Sequence, residues 1–434
     1  MNFSIKEIKH RINNSKLIKG FVVTILGSGA SKIILVLATF ICSNMLGKME
    51  FGELSFVRNT LNMILCICAL NFSALCTKFT TEAKTSVASL HRLFLLFIFS
   101  LVVCFVIGLL LIITPEGKLL ELLSTMTIVK FFKIIGVLLP LFMLQPLVEG
   151  VLRGLKKFDI IGILQTLSSF FYLVVIFLGI KIDGLNGALI GVVIYYTLYS
   201  IVSALILQWK FNVLQYLYKL RGFWKEKTAI MGMILPLFLM SFIDAPVMWV
   251  AQVILSKFGS MESVGSMTAM MQIRNLAMLI PSYFSNTYIA FAGELNTQKR
   301  YVDYYSQYQK IIRLYLLIGF GMFIVFSVFA QPILLLYGRD FIEDWPVMIV
   351  SNFSIPLTML IGLFRIDLIL KDHQQYLLYI AFAWNAVWLI TLFCFNVFGM
   401  NPLYSFFLSQ NIGSITFIIV LMLVYNKDKK RLLQ

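Results

Sequence analysis

The chain has 434 residues, 60% of them hydrophobic and 13% charged, with a formal net charge of +16 and a mean hydropathy of +0.89. That much apolar surface exceeds what a soluble core can bury, which excludes a soluble enzyme and points to a polytopic membrane protein. The positive excess reads as cytoplasmic loops meeting anionic lipid, and no nucleic-acid partner is expected.

Residues 1–20 form a basic head expected to stay cytoplasmic. The apolar stretch that follows is of full span length and lacks a small-residue cleavage site, so no removable signal peptide is expected. Runs of about 20 apolar residues predict twelve spans, at 21–43, 54–76, 93–113, 131–148, 160–180, 185–207, 228–254, 264–291, 314–336, 347–370, 376–397 and 403–425. With the N-terminus inside, 25 of the 36 Lys and Arg residues fall in cytoplasmic segments and 6 in outer connections, which places both termini in the cytoplasm. The longest cytoplasmic connection, 208–227, divides an N-lobe at 21–207 from a C-lobe at 228–425, and a basic tail at 426–434 closes the chain. The fold class expected is therefore all-α, with twelve transmembrane helices in two six-helix lobes. No connection is long enough to hold a soluble catalytic domain.

The halves share a weak internal repeat, of a kind found in many transporters. Gly47, Glu50 and Gly52 match Gly259, Glu262 and Gly265 with one residue inserted. Each loop leads into a span carrying an Arg-Asn pair, at Arg58 and Arg274.

A charged side chain at a bilayer centre costs roughly 2.5 to 3.5 kcal/mol on insertion scales, so spans that carry one need a compensating reason. Lys32 and Arg274 are expected near the midplane. Arg58 is expected about 6 Å below the outer end of its span, where it either snorkels to water or joins the deeper cations. Asp244, between Pro236 and Pro246, is either a structural ion-pair partner or a site for a coupling proton or cation on a bendable helix. Arg365 and Asp367, near the cytoplasmic end of their span, are candidate gate residues that do not face each other. Glu149 and Arg153 are spaced as a solvated i, i+4 pair.

The cysteines and histidines have no paired metal-ligand spacing, and neither a phosphate loop nor a Ser-His-Asp set occurs. No cofactor is expected. A lumen with two or three cations and few acids suits an anion, and guanidinium binds phosphate oxygens bidentately. These residues point to an anion translocator without naming its substrate.

Three stretches, KGFVVTILGSGASKIILVLATFICSNMLGKMEFGELSF, VEGVLRGLKKFDIIGILQTLSSF and ILLLYGRDFIEDWPVMIVSNFSIPLTML, together resemble the polysaccharide transporter family, specifically Wzx-type O-antigen flippases. That family shares a superfamily with the lipid II flippase MurJ and the MATE exporters. The resemblance implies a V-shaped, alternating-access transporter in the bacterial inner membrane. It would carry undecaprenyl-pyrophosphate-linked oligosaccharide outward, with O-antigen polymerase and chain-length regulator as partners. It also implies that Lys32, Arg58 and Arg274, in the first, second and eighth spans, hold the pyrophosphate. The alternatives are a MATE-like exporter of cations, which calls for an acid-rich lumen, and a non-transporting scaffold of a glycan-assembly complex.

Overall fold

The computed structural model describes residues 16–69, 72–82, 87–123, 126–211, 245–279, 281, 292, 294–295, 298, 300–371 and 374–433. They are almost wholly helical: α1 Lys16–Ala69, α2 Phe72–Glu82, α3 Val87–Ile113, α4 Glu116–Leu123, α5 Met126–Phe142, α6 Leu144–Gly154, α7 Phe158–Phe211, α8 Ala245–Phe258, α9 Met261–Ala277, α10 Tyr301–Val328, α11 Ala330–Leu335, α12 Trp345–Asn352, α13 Ser354–Leu370, α14 Gln374–Val397 and α15 Pro402–Leu433. A 3-10 turn at Arg339–Asp344 leads into α12.

Among the described residues, eight helices are long and apolar enough to cross a membrane. Two of them are double-length and broken by backbone that only glycine adopts easily. In α1 the break is Gly47 (φ 75). In α7 it is Asp183 with Gly184 (φ 50). The arms of α7 fold back on one another, and Gly179 lies so close to the Gly187 backbone that neither position has room for a Cβ. Large side chains such as Phe105, Leu317 and Val328 stay exposed on these helices. In water they would be a liability, whereas in lipid they are the expected surface. The protein is a multi-pass membrane protein.

The described residues form two compact units, one within Met1–Met45 and Val57–Ala245 and the other within Leu46–Phe56 and Pro246–Gln434. In the first unit, α6 packs on α2 through Gly150 and Gly154, one turn apart. A Cβ on Gly150 would come 2.7 Å from both Cys76 Cβ and the Ser73 carbonyl oxygen. This closeness lets Thr77 Oγ1 donate across to the Gly150 carbonyl at 3.0 Å and Thr81 Oγ1 to that of Gly154 at 3.3 Å. Small residues and hydroxyl bonds of this kind are how helices associate where lipid removes the hydrophobic drive.

The second unit contains α8 to α15 and the short stretch Leu46–Phe56. The segment 44–53, expected as an outer loop, is helical apart from Gly47, so the second arm of α1 begins at residue 48 rather than 54. Arg58 is thus eleven residues past the break, about 16 Å along the helix at 1.5 Å per residue. The two glycine motifs of the repeat meet here. A Cβ on Gly52 would overlap the Met261 carbonyl oxygen, and one on Gly265 would press on the Lys48 carbonyl oxygen. Gln208–Lys227, expected as the inter-lobe linker, lies outside the described residues beyond residue 211.

Candidate functional site

In the first unit Arg58 projects from the second arm of α1 onto α7, with its guanidinium carbon 5.4 Å from the centre of the Tyr172 ring. The ring face, with its negative quadrupole, stabilises the cation without consuming a donor. Among the described residues no carboxylate pairs with it. Tyr172 is 3% exposed, and its hydroxyl has no partner among the described residues. One turn beyond Arg58 on the same face, Asn62 is exposed and accepts from the Tyr196 hydroxyl at 3.0 Å. Tyr195 links these rings, 4.9 Å from Tyr172 and 5.1 Å from Tyr196.

Lys32 belongs to the same unit. Its neighbour Ser31 bonds Ser169 on α7 at 2.5 Å, one turn from Tyr172. The same stretch of α7 therefore holds the arms of α1 that carry Lys32 and Arg58. Lys32 itself is exposed.

Glu149 and Arg153 form the pair their spacing predicts, at 3.0 Å, but the carboxylate is only 13% exposed. It also accepts from Tyr199 at 2.8 Å and Gln165 at 3.3 Å, so it joins α6 to α7 instead of lying on a solvated face. Lys133, read within a span, donates to Glu116 at 2.9 Å. That hydrogen bond and the ammonium charge hold the Glu116 carboxyl below the ordinary carboxylate range.

Arg274 lies in the second unit, in the last turn of α9. Ser260 caps the start of this helix by accepting from the Ser263 N–H at 3.4 Å. The residue is 8% exposed, and its Nη1 donates to Gln410 Oε1 at 2.7 Å and Ser354 Oγ at 3.1 Å. Both partners are neutral, so the full positive charge is retained. Asn411, beside Gln410, donates to the Val350 carbonyl at 2.8 Å, which ties α15 to α12.

Asp367 and Arg365 face apart, as their spacing requires. Asp367 accepts from Tyr304 at 2.6 Å and from Lys371 at 2.8 Å, and the two charged side chains are 2% and 5% exposed. The Lys371 ammonium also donates to the Tyr305 hydroxyl at 3.0 Å and lies 5.5 Å from the Tyr425 ring centre. Arg365 lies over Phe417 at 5.8 Å. Lys371 stands four residues after Asp367, and that i, i+4 spacing is the signal in the sequence that marks the pair. Gln410 and Tyr196 gave no sequence signal, being 136 and 134 residues from their partners. Asp244 lies outside the described residues.

A further charged contact secures Leu46–Phe56 within the second unit. Lys48 pairs with Asp344 at 2.6 Å, and Ser266 donates to the same carboxylate oxygen at 2.5 Å. Phe51, fully buried, packs on Tyr337 and Phe341 with ring centres 6.3 and 6.0 Å away. Among the described residues no three His, Cys, Asp or Glu side chains form a group that could hold a metal ion.

The fold is similar to those of solved transporters described as members of the MOP superfamily or the MATE family. It resembles an inward-facing multidrug resistance MATE family transporter at TM-score 0.78 and 14% identity, over 92% of this chain and 95% of that one. It also resembles a mutant of the Vibrio cholerae MATE transporter VcmN (TM-score 0.62, 16% identity, 96% and 98% covered). A third similar structure is a MOP superfamily transporter from Pyrococcus furiosus, described as having a binding pocket of reversed polarity that suggests a different function (TM-score 0.62, 14% identity, 96% of each chain). Identities this low show the fold alone. No curated protein matches the sequence. Residues 17–292, more than half of the chain, match the family of polysaccharide biosynthesis proteins, and the protein belongs to that family.

Proposed function

We propose that the protein is a flippase that moves undecaprenyl-pyrophosphate-linked polysaccharide repeat units from the cytoplasmic to the outer leaflet of a bacterial inner membrane. It would do so as a twelve-span, two-lobed, V-shaped alternating-access carrier with both termini cytoplasmic. Lys32, Arg58 and Arg274 hold the pyrophosphate, Asp244 takes a coupling proton or cation, and Arg365 and Asp367 serve the gate. Polymerase and chain-length regulator are the partners that would receive its product.

One observation carries this reading: Arg58 and Arg274 have no carboxylate partner among the described residues, one lying against a ring and the other against neutral oxygens. A cation kept charged and unneutralised in that setting is suited to a mobile anion. Family membership and the transporter fold support a lipid-linked saccharide as the cargo. The pyrophosphate carries about two negative charges, and each gains roughly 2.3 kcal/mol on moving outward across an inside-negative 100 mV, so the potential favours export.

The test is reconstitution in liposomes with a fluorescent lipid-pyrophosphate saccharide whose outer-leaflet fraction is read by chemical quenching. Arg58→Ala and Arg274→Ala are expected to slow flipping at least about tenfold, the effect of losing one charge-assisted bond or two. Unimpaired flipping by Arg274→Ala or Lys32→Ala would overturn the phosphate cradle.

A further inference from the structure

Arg58 and Asn62 stand four residues apart in the uninterrupted second arm of α1, which places them on one face with Cβ atoms about 5 to 6 Å apart. Asn62 is exposed, in a stretch of the arm, Leu61 to Ala69, that is otherwise apolar. A free amide beside a guanidinium is costly toward hydrocarbon, so this face meets water.

The amide is also oriented. Tyr196 donates its hydroxyl to Asn62 Oδ1 at 3.0 Å, and Tyr196 is itself braced by Phe142, with ring centres 5.4 Å apart. With its oxygen engaged, Asn62 presents its two N–H donors outward. Arg58 rests on Tyr172 by its π face, which leaves its five N–H donors uncommitted among the described residues. Along one helical turn the surface thus offers a charged fork and then a pair of neutral donors.

The fork suits phosphate, and neutral donors one turn away suit an uncharged acceptor covalently close to that phosphate. On a glycosyl pyrophosphate this acceptor is a hydroxyl or amide carbonyl oxygen of the sugar whose C1 oxygen carries the phosphate. We infer that Asn62, held by Tyr196, reads the phosphate-proximal sugar while Arg58 holds the phosphate. Asn62 is then a specificity residue that contacts the substrate, and Tyr196 is a positioning residue. The inference rests on the phosphate reading of Arg58 given above.

Binding of soluble probes to the purified full-length protein tests it. The probes are inorganic pyrophosphate, UDP and UDP-glucose, each competed against a radiolabelled glycosyl diphosphate. The wild type is expected to bind UDP-glucose about 3- to 10-fold more tightly than UDP, the range one or two neutral hydrogen bonds give. Asn62→Ala should bring that ratio close to one and leave pyrophosphate and UDP unchanged. Asn62→Asp keeps the acceptor for Tyr196 but loses the donors, and should also abolish the preference. Tyr196→Phe should weaken it partly, without changing pyrophosphate binding. Arg58→Ala should weaken all three probes together. If pyrophosphate binds and the UDP-glucose preference survives in Asn62→Ala, the inference is wrong and the phosphate reading stands. If the wild type binds none of the probes, the phosphate reading falls and this inference with it.

Discussion

At the scale of the residue, the two units accommodate a cation on different terms. Arg58 lies on the Tyr172 ring with its donors uncommitted among the described residues, whereas Arg274 is tethered through one nitrogen to Gln410 and Ser354. Lys371 is a third case, with its charge met by Asp367 and its flanks covered by tyrosines. A buried pair of this kind contributes little net stability, because desolvation offsets most of the attraction, but breaking it on one side strands a charge. Lys371→Met is therefore expected to lower unfolding stability by about 3 to 5 kcal/mol. The double variant Lys371→Met with Asp367→Leu should regain most of that loss. Thermal unfolding in detergent of Lys371→Met, Asp367→Leu and the double variant, read as a double-mutant cycle, checks both, and a double-variant loss equal to the sum of the two single losses would show that the charges are not coupled.

At the scale of the element, the Gly/Glu repeat acquires a physical reason. Its two copies are not merely alike, since Gly52 and Gly265 are where the second arm of α1 and helix α9 approach too closely for any side chain. A few residues beyond this crossing the two helices carry Arg58 and Arg274. Lys48, Phe51 and Asp344 fasten the crossing on either side. Gly52→Ala should thus destabilise the protein by about 1 to 3 kcal/mol, because the obstacle is a backbone carbonyl that cannot turn aside. Gly321, in the middle of α10 with open space where a Cβ would go, is the control. Gly321→Ala should be neutral or stabilising by up to about 1 kcal/mol through helix propensity. Unfolding midpoints of the two variants side by side decide the matter, and equal effects would remove the steric account.

At the scale of the whole molecule, the distribution of Lys and Arg predicts orientation. Lys156, exposed after α6, and Phe398, exposed at the end of α14, are expected on the cytoplasmic and outer sides respectively. Cys394 is the exposed native cysteine, so the labelling background is Cys394→Ser. In intact cells a membrane-impermeant maleimide should label Phe398→Cys and spare Lys156→Cys until the membrane is permeabilised. Labelling in the opposite order would reverse the orientation and, with it, the direction in which the membrane potential acts.

Hydropathy and charge by themselves determined that the chain crosses a membrane repeatedly, because every span must be apolar along its own length and that property is local. They also singled out Lys32, Arg58 and Arg274, since a charge in an apolar run stands out without reference to any partner. The tertiary structure alone decided what surrounds those charges. Gln410 and Ser354 come to Arg274 across 136 and 80 residues, and Tyr196 reaches Asn62 across 134. An amide or hydroxyl in a membrane helix looks the same in sequence whether it faces a cation, a neighbouring carbonyl or water. Helix packing makes that choice, by bringing glycines such as Gly52 and Gly265 together and thereby setting which faces meet.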